Sequence, residues 1–332
     1  MQRLMKRAWR LSAVAALALA VAAPVAAEAA EGKIHVALGD VPSVETLNLL
    51  IALERVKERG IDVQLTPFKS EDVAAQAVVG GQADVGVGVP YAMMQKVKAP
   101  IRLFYQMSNL RFFPVVDASA YKDWKDLNGQ EIAVQGRGSG TEAVMKMMAK
   151  RNGIEYGSIS YVPGSEVRAG AMLQGNIKAT VVDAANRRLL EEKAPGKFAV
   201  LPMENIDATD EALFANTEFL ESEKEAVTIL VVELLKTWRE INANPAVVAE
   251  LREKYKLLPD LPADEAEEIT AYFQESAESK AFPEDGGNPD AVKADFEFYT
   301  VAGQLEGDPA SLKVEDFWTF DVVEVARKNL GQ

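Results

Sequence analysis

The chain has no cysteine and a single histidine in 332 residues. Without thiols there is no disulfide framework, no thiolate nucleophile and no Cys-ligated zinc or iron–sulfur site. One imidazole, His35, excludes a multi-histidine metal centre and leaves one candidate base for a Ser-His-Asp arrangement. No G-x-S-x-G elbow occurs. Cations are also scarce: 36 Lys and Arg stand against 50 Asp and Glu, a formal charge of −14. That balance argues against a nucleic-acid partner, since phosphate binding needs clustered Lys and Arg. After the first thirty residues no apolar run approaches the about 20 residues a membrane span requires. What remains is an ordinary globular composition, 48% hydrophobic and 26% charged, long enough for about two domains.

Residues 1–30 read as a secretory signal peptide. Arg3, Lys6, Arg7 and Arg10 precede an uncharged stretch from Leu11 to Ala27, and small-x-small triplets close it between Ala27 and Ala30. The stretch is short, alanine-rich and broken by Pro24, unlike a membrane anchor. With no cysteine at the cleavage site a lipid anchor is excluded. The expected location is therefore a periplasm, with the mature chain free of the membrane.

The mature chain alternates strands and helices. Strands are predicted at 34–38, 61–68 and 84–89. Between them lie a helix ending at Gly60 and one capped by Ser70 that ends at Gly80-Gly81. Pro90 opens a short helix at 91–97. The same grammar recurs with strands at 131–135, 158–162 and 177–182, a helix over 141–151 and one capped by Ser165. Ile34 to Ile132 and Ile61 to Ile159 repeat one offset, and Gly81 to Gly175 nearly the same one. Two similar α/β units of about 95 residues each are expected. From Ala212–Asn216, a last short strand, the pattern turns to long helices at 222–243, 245–254, 263–277 and 289–303, and a final one from Val322.

In parallel sheets ligands collect beyond the carboxyl ends of the strands. Four loops lie there: 39–43, 88–91, 136–141 and 163–166. Gly136-Arg137-Gly138-Ser139-Gly140-Thr141 is the richest, offering close backbone approach, two hydroxyls and a helix N-terminus. The same segment contains S-x-x-E, a capping box that starts a helix with or without a ligand. As a dinucleotide loop it has its third glycine one position early, and it lacks the Walker lysine. His35 lies inside the first strand as a packing or surface residue. Asp84 starts a strand, at the wrong end for a cleft. Asp183 ends a strand at the right end, as a ligand contact or as the cap of the next helix. Tyr91 stands at a helix start beside a strand end. Asn109 and Arg111 stand where the chain passes between the units, and Arg111 can fork onto an anion or form a salt bridge.

The segments KIHVALGD, VVGGQADVGVG, DLNGQEIAVQGRGSGT and MLQGNIKATVVD, and the return to GQLEG and VEDFW, resemble periplasmic substrate-binding proteins of ABC importers. The similarity is to the branch serving nitrate, sulfonates, taurine and thiamine pyrimidine precursors. It implies a type 2 periplasmic binding fold of the α/β class. Each of its two lobes is a mainly parallel sheet flanked by helices, and a helical C-terminal tail packs on the first lobe. Lobe 1 is expected over 31–110 with 210–332 and lobe 2 over 111–209. The implied ligand contacts are Asp40, Ser43, Gly88, Pro90, Tyr91, Asn109, Gly138, Ser139, Gly140, Thr141 and Asp183. No catalytic residue, metal or cofactor is implied. The implied partners are a small-molecule ligand and a membrane permease, for a protein that is itself monomeric. The acid Asp40 and the apolar 88–91 loop speak against a simple inorganic anion and leave open an organic anion, a zwitterion or an amine-bearing heterocycle. A periplasmic enzyme on the same fold, or a sensing receptor that partners a signalling protein, are the alternative expectations.

Overall fold

A computed structural model describes residues 32–331 apart from 204, 205 and 207; the expected signal peptide lies outside the described residues. The strands are β1 (Lys33–Leu38), β2 (Asp62–Pro67), β3 (Val85–Val87), β4 (Ile101–Asn109), β5 (Phe113–Asp117), β6 (Glu131–Val134), β7 (Ser158–Tyr161), β8 (Ala179–Val182), β9 (Phe198–Val200) and β10 (Thr209–Asn216). They form two five-stranded sheets, β2-β1-β3-β10-β4 and β7-β6-β8-β5-β9. Three strands of each sheet run parallel, with Ile34 beside Val63 in one and Ile132 beside Ile159 in the other. The fourth, β10 or β5, is antiparallel to both neighbours. In each sheet that antiparallel strand is the one that has just crossed from the other half of the molecule. The repeat seen in the sequence is thus a repeat of topology.

The helices are α1 (Leu47–Glu58), α2 (Glu71–Val79), α3 (Gly140–Asn152), α4 (Ser165–Leu173), α5 (Ala184–Lys193), α6 (Thr217–Ser222), α7 (Lys224–Ala243), α8 (Val247–Tyr255), α9 (Ala263–Glu278), α10 (Pro289–Val301) and α11 (Asp321–Asn329). Their starts follow local chemistry: the side chains of Ser70, Ser139, Asp183 and Asn288 each accept a backbone N–H of the first turn. The cap expected at Ser165 is displaced by one residue. Gly164, at φ 85°, occupies the cap, and the Ser165 hydroxyl instead accepts the Asp183 N–H at 3.1 Å. Strand β10 also starts earlier than expected, and so includes Asp210 and Glu211.

The longest helix, α7, shows why the tail belongs to the first sheet. Val227, Leu230, Val231, Leu234, Trp238 and Ile241 recur at helical spacing, are wholly buried, and share one core with Leu49, Ala52, Leu53 and Val56 of α1. The chain end then covers the edge of β4: Leu103 donates to Phe317 O at 2.9 Å and accepts from Thr319 at 2.9 Å. The tail also reaches the other half, with α9 against α5 and α10 against α3. The two crossings run side by side. Leu110 N–H donates to Ala208 O at 2.8 Å, and the Gln106 amide donates to Asn109 Oδ1 at 2.9 Å and to Thr209 Oγ1 at 3.0 Å.

Candidate functional site

A cavity of about 1000 Å³, counted with its open mouth, lies between the two sheets. Its walls come from both halves: Leu38, Asp40 and Val87 from strand ends of the first sheet, Gln135 and Asp183 from those of the second. Both sets stand at carboxyl ends of parallel strands, where the backbone leaves the sheet and its polar groups are free to face a ligand. Helix α9 closes one side with Tyr272, Glu275, Ser276 and Ser279.

The four strand-end loops converge as expected of a cleft. Gly39 lies so close to α2 that a Cβ there would meet the Glu71 backbone at 2.5 Å. Asp40 accepts the N–H of Val41 at 2.7 Å and a further backbone N–H from Gly164 of the opposite half, and it faces the buried Arg168 guanidinium. Gly88, at φ 133°, leaves room for the Glu71 carboxylate, which a Cβ would approach to 2.9 Å. Gly140 serves the same purpose across the cleft, since its Cβ would sit 2.7 Å from Asp210 Oδ1. The absent side chain lets that carboxylate reach the N-terminus of α3, where the helix dipole favours negative charge.

The residues expected at the site fall into three groups. Asp40, Asn109 and Asp183 line the main cavity. Gly88, Pro90 and Gly138 line a smaller cleft beside it with Glu71 and Asp72, and Ser43 lines a shallow pocket that shares Asp183. The remaining groups point inward. The Ser139 hydroxyl donates to Gly136 O at 2.8 Å and lies 2.9 Å from Thr141 Oγ1, which accepts the Gln135 N–H at 3.0 Å. These hydroxyls therefore build the loop, and Glu142 binds Gly138 N–H at 2.8 Å rather than the cap residue itself. Asp183 caps α5 through Asn186 N at 2.7 Å and also borders the cavity.

Tyr91 lies elsewhere. Its ring is wholly buried among Phe296, Tyr299 and Phe317, its hydroxyl donates to Asp295 Oδ2 at 2.7 Å, and Trp318 donates to it at 2.7 Å. The turn after Pro90 aims it at α10 and the chain end, where a large ring gains more by burial than at a wet cleft. Arg111 lines the cavity but donates to Ser279 O at 3.1 Å and Leu110 O at 2.7 Å, so it ties α9 to the crossing. His35 packs against Thr66, 2.8 Å from Nε2 to Oγ1, and Asp84 accepts the His35 N–H at 2.7 Å, a structural pair on the strands.

The sequence reading missed the acids on β10 and at its neighbours. Asp210, Glu211 and Glu45 line the main cavity with Asp40, Asp183 and Glu275, six carboxyls against the guanidinium of Arg111 among the described lining residues. Burial and the neighbouring Asp40 and Asp72 push Glu71 up to about 8. Burial followed by the charge of Glu71 raises Asp210 and Glu211 well above the carboxylate range. The only trace of this in the sequence is an acidic pair opening an otherwise apolar strand, Thr209-Asp210-Glu211-Ala212-Leu213-Phe214. Among the described residues no three His, Asp or Glu side chains are placed to hold a metal ion, and no helix is long and apolar enough to cross a membrane.

Comparison with known proteins bears on the fold. A Bordetella bronchiseptica RB50 protein of known structure superimposes with a TM-score of 0.73 at 21% identity, covering 90% of this chain and 98% of that one. The nitrate-binding protein NrtA of Synechocystis PCC 6803 gives 0.66 at 13% identity, covering 90% and 89%. The alkanesulfonate-binding protein SsuA of Xanthomonas axonopodis pv. citri, bound to MOPS, gives 0.63 at 15% identity, covering 86% and 98%. No curated protein matches by sequence. The likeness establishes the fold, that of the periplasmic binding proteins of ABC importers. The NMT1/THI5 like family profile matches residues 51–247, from α1 through both crossings to α8. The chain belongs to the NMT1/THI5-like family.

Proposed function

We propose that this protein is a solute receptor of an ABC importer, capturing a small organic molecule between its two lobes and handing it to a membrane permease without altering it. The lobes divide as 31–110 with 210–332 and 111–209, about the crossings at 109–113 and 200–209. The observation that carries the reading is the cavity walled from both sheets. A molecule touching both walls binds the closed arrangement more tightly than the open one, and so shifts the population toward closure. Closure also explains the tail's contacts across the cleft, where Arg187 and Arg188 of α5 pair with Glu275 of α9. The expected setting is a periplasm reached through residues 1–30, with the mature chain monomeric and free of the membrane. The contacts among Asp40, Ser43, Gly88, Pro90, Asn109, Gly138–Thr141 and Asp183 shape the cleft, and the acids of β10 join them.

Native mass spectrometry of the protein as isolated tests the reading. The wild type is expected to carry one small molecule, released unchanged on unfolding. Ala184→Trp, which fills the cavity from the start of α5, is expected to carry none while keeping its circular dichroism. A bound mass that survives in the variant, or one chemically converted on incubation, overturns the proposal.

A further inference from the structure

The electrostatics of the cavity do not suit the anions bound by the sulfonate and nitrate receptors that share its fold. Of its six lining carboxyls, Asp40 faces Arg168, Asp183 is satisfied by the α5 N-terminus, and Glu275 pairs with Arg187 and Arg188. Asp210 reaches the N-terminus of α3, but among the described residues Glu45 and Glu211 have no such partner. Oε1 of Glu45 and Oε2 of Glu211 are buried and have no hydrogen-bond partner among the described residues. A buried carboxyl oxygen without a partner is unfavourable unless something supplies a charge or a donor. Here two of them border the same empty space. The aromatic side chains Phe112, Phe113, Tyr272 and Phe282 form the other part of its wall. Carboxylates beside aromatic faces are the surroundings in which a cationic nitrogen on an apolar body is held, through charge-assisted hydrogen bonds and cation–π attraction. The acids are also too dispersed for a bare metal ion among the described residues.

We propose that the solute held between the lobes is an organic cation, an amine or quaternary nitrogen carried on an aromatic or apolar body, with its charge toward Glu45 and Glu211 and its body among Phe112, Phe113, Tyr272 and Phe282. This rests on the receptor reading and narrows its ligand class.

The test uses protein unfolded in guanidinium, dialysed and refolded. Three probes of matched shape are compared by calorimetry and thermal shift: benzyltrimethylammonium, neutral benzyl alcohol and benzenesulfonate. The cation is expected to bind at least ten-fold more tightly than either of the others. Glu211→Gln and Glu45→Gln, which keep shape and remove charge, are each expected to weaken it ten-fold or more while leaving benzyl alcohol unchanged. In parallel, the molecule released from unstripped protein is run by electrophoresis at pH 7, where migration as a cation is expected. Tighter binding of benzenesulfonate, indifference of the cation to both substitutions, or a released molecule that migrates as an anion or neutral species overturns the cation proposal. The receptor reading survives those results. If neither a probe nor a released molecule depends on the cavity, as judged by Ala184→Trp, the receptor reading falls with it.

Discussion

Two carboxyls beside the second crossing, Asp295 and Glu211, behave in opposite ways. Asp295, on α10, is wholly buried and fully satisfied: it accepts the Tyr91 hydroxyl at 2.7 Å and the Thr209 N–H at 2.6 Å. Tyr299 donates to Thr209 O at 2.8 Å, so the same cluster holds both polar groups of the residue at the second crossing. Glu211, two residues further on, ends in an oxygen with no partner, among the carboxyls of Asp210, Glu71 and Asp40. The contrast separates a network that holds the fold from one that, on the receptor reading proposed above, a ligand would complete. A satisfied buried network gives the hinge one arrangement. An unsatisfied one stores unfavourable energy that a bound partner can release.

The comparison can be broken most severely at Asp295. Asp295→Ala strands the Tyr91 hydroxyl and the Thr209 N–H, and about 3 kcal/mol of stability is expected to be lost, read as a lower urea midpoint. Next comes pH. Asp295 is raised to about 6 and Glu71 to about 8, both first by burial, against ordinary values of 3.8 and 4.5. The folded protein therefore keeps protons that the unfolded chain has released. Their stabilisation is fully present below about pH 4 and is lost as pH rises through 6 and then 8. The ligand-free protein is expected to lose roughly 5 °C in melting temperature between pH 5 and pH 8.5. A flat profile would show that these acids are paired in solution. Smaller again, Glu211→Gln is expected to stabilise the ligand-free protein by about 1 kcal/mol at pH 8, the opposite sign to Asp295→Ala. Loss of stability on that substitution would remove the distinction between the two sites. The smallest effect is expected at the half-exposed pairs across the cleft. Arg188→Ala should change stability by less than about 1 kcal/mol, yet raise the ligand-free radius of gyration by X-ray scattering at low salt and not at 1 M.

How far the fold and the site could be read beforehand followed from how local their causes are. Strand–helix alternation, the stop at Gly60 and the caps at Ser70, Ser139 and Asp183 depend on neighbours within a turn, so they were legible. The strand β4 was hidden because its nine residues, Ile101–Asn109, are buried almost throughout and show no alternation. Tyr91 was placed by its position in the chain at a strand end, a place that ligands favour, but Asp295 and Trp318 claim its hydroxyl from more than two hundred residues away. Ser139 and Thr141 stand in the glycine-rich loop, and only the folded geometry turned their hydroxyls inward. Asp210 and Glu211 fall outside the strand expected from Ala212, because a carboxylate in a strand has no local reason to be buried.

What the sequence determined by itself was the repeated α/β grammar, the exclusions that follow from absent cysteine and scarce histidine, and the loops that could reach a ligand. Periodicity, caps and composition act over a few residues and need no partner to be recognised. Only the tertiary structure decided which acids share a cavity, which face Arg168 or the α5 N-terminus, and which are left without a partner among the described residues. Those outcomes depend on charges, burial and hydrogen bonds between groups far apart in the chain, and they come into being only when the two sheets meet.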